Sequence, residues 1–216
     1  MQAIYDSPYH NPGLFFLLGA LFLVALARRL PFLHGYAVLF AFEILADALV
    51  TGGASPWKDT PWPGRLSLVF VLLGDYRFFL LLERYAKPGA PAFARAAGLT
   101  LIVPVLAQIA RVVAPQTFAG GRVLFLSYEL AMVVLLVALR LTYLKTRLLA
   151  LGDRVRAWLL RVFLFELVGY AGWALCDVLI LGGVDAGHAL RILPNTMYYA
   201  LFLPFVVLTA PDEATS

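Results

Sequence analysis

The chain has 216 residues, 62% of them hydrophobic and only 14% charged, with a mean hydropathy of +0.85. Soluble domains carry about 25% charged residues, so a soluble globular protein is excluded and a polytopic membrane protein is expected. The net charge of +4 sits mostly between the apolar runs, where it reads as membrane topology and not as a nucleic-acid surface.

Apolar segments of about 20 residues, enough to cross a bilayer, fall at roughly 13–29, 33–53, 65–85, 92–113, 122–145, 156–182 and 188–209. They predict an all-α integral membrane protein, a single domain of seven transmembrane helices over residues 1–216, in a prokaryotic inner or plasma membrane. Met1 to Gly13 holds Asp6 and no Lys or Arg. It lacks the basic start of a cleavable signal, so the first apolar segment is expected to remain as a helix. The breaks carry turn chemistry: Arg28-Arg29-Leu30-Pro31, Gly52 to Gly64 with three prolines, Lys87-Pro88-Gly89-Ala90-Pro91, Ala114-Pro115 through Gly120-Gly121, and Gly182-Gly183.

Arg28, Arg29, Arg84, Lys87, Arg95, Arg140, Lys145, Arg147, Arg154, Arg156 and Arg161 fall on one side of these spans. Lys58, Arg65, Arg111, Arg122 and Arg191 fall on the other. The positive-inside rule then puts the N-terminus outside and the C-terminus inside, with Trp57 and Trp62 at the outer interface and Trp158 at the inner one. Glu83, Arg84 and Tyr85 are expected as solvated anchors ending the third span. The basic loop from Lys145 to Arg161 would favour anionic lipid. Pro104 in the fourth span and Pro194 and Pro204 in the seventh are expected to kink or interrupt their helices.

Asp47-Ala48-Leu49-Val50-Thr51-Gly52-Gly53 and Asp177-Val178-Leu179-Ile180-Leu181-Gly182-Gly183 match in Asp, Leu, Gly and Gly at a constant offset of 130 residues. This predicts a 3+1+3 plan, two parallel three-helix repeats joined by an inverting fourth span. An ionisable group inside an apolar span is costly and is a functional-site candidate by default.

Counting about 1.5 Å per residue from the outer span ends brings Asp47, Asp75, Glu129, Asp177 and Asn195 to a similar depth on five helices. On the sixth span Glu166, Tyr170, Trp173 and Asp177 follow helical spacing and form one stripe. At the same offset the second span gives Tyr36, Phe40, Glu43 and Asp47. Aromatic residues at this spacing are often plain packing; burying a carboxylate for packing alone gains little. The expected layer thus holds Asp47, Asp75, Glu129 and Asp177, with Glu43 a turn deeper and Arg77 as the base in the same zone. So many acids cannot all ionise at low dielectric beside one arginine, so a proton or a cation belongs among them.

No histidine shares this depth, and a single cysteine, Cys176, excludes a disulfide within the chain and a Cys-rich metal site. No metal or cofactor is expected. The seventh span has no lysine for a retinal Schiff base, no serine pairs with a histidine at one depth, and there is no phosphate loop.

Leu45-Ala46-Asp47-Ala48-Leu49, Cys176-Asp177-Val178-Leu179, Arg191-Ile192-Leu193 and Tyr198-Tyr199 resemble the lysoplasmalogenase family of membrane proteins. There a Gly-Asp-Ala motif and a later Ser-Asp motif precede a Tyr-Tyr pair. Ala46 and Cys176 depart from that pattern, the family usually has one more span, and Asp75 stands where its histidine-bearing span would fall. The resemblance implies hydrolysis of a vinyl ether, with Asp47 and Asp177 as general acid and water-activating base.

The residues themselves favour a small-molecule or ion-binding protein, a proton- or cation-coupled transporter. Asp47 and Asp177 would be its symmetric pair; Glu129, Asp75 and Asn195 would complete the coordination, with Tyr170, Trp173, Tyr198 and Tyr199 as walls. An accessory or sensory subunit, in which the polar layer only holds the helices in register, is the third class. The expected partners are the lipid bilayer and a small-molecule, lipid or cation ligand; an oligomer stays open.

Overall fold

The structure is a computed structural model that describes residues 1–5, 7, 21, 31–118 and 120–214. The expected first span at 13–29, with Arg28 and Arg29, lies outside the described residues apart from Leu21. Every described element is helical: α1 (Gln2–Tyr5), α2 (Pro31–Thr51), α3 (Trp62–Ala86), α4 (Pro91–Val113), α5 (Gly121–Leu141), α6 (Tyr143–Arg147), α7 (Asp153–Leu181), α8 (Ala186–Leu190), α9 (Ile192–Thr196), a π-helical turn (Met197–Leu201) and α10 (Phe202–Thr209), with short 3-10 turns after α6 and α10. Helices are what such apolar runs must form in hydrocarbon, because only they pair every backbone amide within one segment.

Among the described residues, five stretches are long and apolar enough to cross a membrane: Phe32–Thr51, Pro91–Val113, Gly121–Ala150, Asp153–Leu181 and Ala186–Thr209. The helix expected over 65–85 is present as α3, with 25 residues, but its charges keep it out of that set. Three of its five charges point inward: Asp75, Arg77 and Glu83 are all buried. α3 packs between α2 and α4, α5 packs on both α4 and α7, and α10 touches α2 and α7. The core between them is largely aromatic, with Phe40, Phe79, Trp158 and Phe202 completely enclosed.

The two ends of the Asp-Gly-Gly motif differ in geometry. α2 and α7 stop at the equivalent residues Thr51 and Leu181. After α7, Gly183 adopts φ +78°, its N–H donates to the Ile180 carbonyl, and the Val184 N–H donates to that of Leu179 at 2.8 Å. This is a Schellman stop, which favours glycine at the left-handed position. Gly53 has no positive φ, so the shared glycines close their helices differently. The chain then turns back tightly: a Cβ on Gly187 would meet the Cys176 carbonyl oxygen at 2.9 Å, so glycine lets α8 lie against the end of α7.

The last apolar stretch is one helical run, Ala186–Thr209, whose ladder is irregular around a π-helical turn and which its prolines do not interrupt. Pro194 and Pro204 cannot donate to the helix ladder, and the chain runs as α8, α9, a π-helical turn and α10. α4 likewise continues through Pro104.

One expectation is overturned. Glu83 is not a solvated anchor but wholly buried. It accepts from Arg95 Nε at 2.6 Å and from the Tyr143 hydroxyl. Two donors from α4 and α6 satisfy the carboxylate that α3 turns inward, which ties these helices together. The Tyr85 hydroxyl donates to the Ala214 carbonyl at 2.9 Å, and the Arg84 guanidinium lies 5.2 Å from the Phe32 ring.

Candidate functional site

The polar residues of the expected layer all turn toward the helix interior, but they divide into two sets of contacts. The first is built on Arg77. This side chain is completely buried, its guanidinium 4.5 Å from the ring centres of both Tyr198 and Phe202. Arg77 Nη2 donates to the Tyr198 carbonyl at 3.0 Å. That acceptor lies in the π-helical turn, where the ladder is widened and carbonyls are open to side chains. The Tyr36 hydroxyl in turn donates to the Arg77 carbonyl at 2.9 Å.

Acids surround this arginine. Asp75, two residues before it, accepts the hydroxyls of Tyr128 on α5 and Tyr170 on α7, one on each oxygen. Glu43, Asp47 and Glu166 also lie within its electrostatic reach. Asp47 accepts from the Thr51 hydroxyl one turn on and from the Tyr199 hydroxyl at 2.9 Å. The rings of Tyr170, Trp173, Tyr198 and Tyr199 follow each other with centres 5.3, 5.3 and 4.9 Å apart. An aromatic wall therefore runs from the carboxyl of Asp75 to that of Asp47, and Trp173 Nε1 donates from it to Asn195 Oδ1 at 2.7 Å.

Gly74 makes room for this wall. A Cβ there would lie 1.3 Å from the Tyr198 hydroxyl oxygen and 2.3 Å from the ring carbon bearing it. Gly74→Ala is expected to displace Tyr198 and lower stability by about 1–3 kcal/mol, the cost of overpacking. Combining it with Tyr198→Leu should recover part of the loss in a thermal-unfolding series.

The second set is built on Arg191, which is 8% exposed. Its guanidinium bonds to Asp177 Oδ1 and lies 3.2 Å from Glu129 Oε1; Arg122, at the start of α5, adds a contact to Asp177 at 3.1 Å. Asp47 and Asp177 therefore do not form a symmetric pair in their contacts. Among the described residues they share no hydrogen-bonding partner: hydroxyls serve Asp47, arginines serve Asp177. The matched segments differ at a telling position: where Thr51 follows Asp47, Leu181 follows Asp177 and has no hydroxyl to offer.

Sequence reasoning assigned Arg122 and Arg191 to a membrane rim and missed both as ion-pair partners. The signal was available: Arg191 lies within the last apolar run, where a lone cation needs a buried acid. Tyr128 and Thr51 were missed as well, since a hydroxyl in an apolar helix carries no mark of its tertiary partner. Outside the spans, the Met1 ammonium donates to Asp185 at 2.6 Å and holds that carboxyl below its usual range.

Among the described residues, no three His, Cys, Asp or Glu side chains converge as a metal site. A depression of about 260 Å³ is lined by Val50, Trp57, Trp62 and Leu66, and none of the carboxylates lines it. Fold and site together define a helical protein whose apolar helices are compatible with a membrane and enclose paired acids and arginines. No protein-family model matches the chain, and comparison with curated proteins and with solved structures gives no significant match.

Proposed function

We propose that the chain is a proton- or cation-coupled transporter for a small molecule or ion, with its site in the outer half of a prokaryotic inner or plasma membrane. It would cross seven times, the first crossing at 13–29, with the N-terminus outside. The two halves would follow the 3+1+3 plan and have diverged around their aspartates. The observation that carries this reading is the π-helical turn in the last apolar helix. It places the Tyr198 carbonyl on Arg77 and the Tyr199 hydroxyl on Asp47. π-Helical turns inside membrane-compatible helices are frequent at functional sites, and this one brings backbone and side-chain groups onto ionisable residues that coupled transport would use.

The test uses the full chain in liposomes with an imposed pH gradient, a trapped pH-sensitive dye, and a panel of inorganic cations and organic amines. Asp47→Asn and Asp177→Asn are both expected to abolish proton-linked uptake. Coupled uptake at the wild-type rate in both variants would overturn the reading. A hydrolase reading keeps one observation in its favour: the bond from Tyr199 to Asp47 joins two of the motifs that resemble lysoplasmalogenases. Aldehyde release from a vinyl-ether lysolipid, lost in Asp47→Asn, would turn the proposal to that chemistry.

A further inference from the structure

Glu43 lies on the inward face of α2, one turn from Asp47, and is 7% exposed. Neither of its carboxylate oxygens has a hydrogen-bond partner among the described residues. The charged and titratable groups around it are Arg77 from α3, Tyr198 and Tyr199 from the π-helical turn, and Asp47 and Tyr36 on α2 itself. α10, which also packs on α2, brings no titratable side chain. Arg77 is shared further with Asp75 and Glu166.

Arg77 is held on one side and open on the other. Nη2 is taken by the Tyr198 carbonyl and the rings of Tyr198 and Phe202 lie 4.5 Å from the guanidinium carbon, while Nε and Nη1 are buried without a partner among the described residues. Acid and base thus lie near each other, each with unmet polar atoms, in surroundings where such atoms are costly. A metal cation at Glu43 would face the fixed charge of Arg77. It would also need a shell of oxygens, and the described acids do not converge on one. A proton needs no shell.

We propose that Glu43 is the proton-binding carboxylate, with Arg77 as its fixed counter-charge; as the identity of the coupled ion, this rests on the transport reading above. The proton adds to one Glu43 carboxylate oxygen to give the neutral acid, and Arg77 keeps its charge for the remaining acids. On release, the carboxylate returns and the open Nε and Nη1 of Arg77 meet its charge. No other bond forms or breaks.

Infrared difference spectroscopy of the full chain in phosphatidylcholine liposomes, prepared with carboxyl-labelled glutamate, tests this over about pH 5 to 9, a range that spans buried glutamates. The expected result is a protonated-carboxyl band, shifted by the glutamate label, that fades as pH rises and loses one carboxyl per chain in Glu43→Gln. Where Glu43→Gln fails to fold, Glu43→Asp should move that contribution out of the label-shifted set. Superimposable titrations of the wild type and Glu43→Gln, or of the wild type and Glu43→Asp, would overturn the proposal. Dye-reported proton flux on the same liposomes separates the two claims. A titrating Glu43 band without flux for any cation or amine supports the proton site and removes the transport reading. Flux that persists while Glu43 does not titrate removes the site and keeps transport.

Discussion

Arg191→Met is expected to cost about 3–5 kcal/mol of unfolding free energy, the scale for removing one partner of a buried ion pair. Arg191 bonds to Asp177 and lies 3.2 Å from Glu129. Asp177 Oδ2 and Glu129 Oε2 already lack hydrogen-bond partners among the described residues, so the site has no reserve. Without the guanidinium, Asp177 keeps Arg122, but Glu129 keeps no ion-pair partner among the described residues. Arg122→Met should be far milder. Its side chain is 31% exposed, and partly solvated pairs contribute only about 1 kcal/mol or less. Adding Glu129→Gln to Arg191→Met should recover much of the loss, because a buried amide costs less than an uncompensated buried carboxylate. The midpoint of detergent-induced or thermal unfolding reads all three variants. Equal losses at Arg122 and Arg191, or no recovery in the double variant, would mean that the charges are not organised by Arg191.

Much of this architecture is legible in the chain. Long, mostly apolar runs mark α2, α4, α5 and α7 to within a few residues. The carboxylates stand out because charged residues are rare within these apolar segments. Their partners do not stand out. Asp75 is satisfied by Tyr128 and Tyr170, which lie 53 and 95 residues away in sequence, and only helix packing brings those phenols together. Glu83 shows the same limit, since a charged residue near a span end reads as solvated until Arg95 and Tyr143 are seen to cover it. The short match at an offset of 130 residues aligns Asp47 with Asp177 yet gives no warning that they have different partners. That divergence comes from single residues, Thr51 against Leu181, and from Arg122 and Arg191 reaching Asp177 alone.

Arg77→Met should be at least as damaging as Arg191→Met, for a different reason. Methionine keeps an apolar stem of similar reach and still packs against Tyr198 and Phe202, so little is lost as a cavity. The charge is lost. The Tyr198 carbonyl gives up its side-chain donor at the π-helical turn, and two ring faces lose a desolvated cation, a contact worth about 2 kcal/mol in such surroundings. Glu43, Asp47, Asp75 and Glu166 lose the positive charge they share. These contributions are coupled and do not add, so about 3–5 kcal/mol is expected in total. Arg77→Lys should lie between, because an ammonium restores charge but neither stacks as a plane nor donates in a fork. Arg77→Met combined with Glu43→Gln should regain stability, since the amide removes one uncompensated acid. Near-wild-type unfolding of Arg77→Met alone would mean that the acids around it need no counter-charge, and the electrostatic core would then be centred on Arg191 alone.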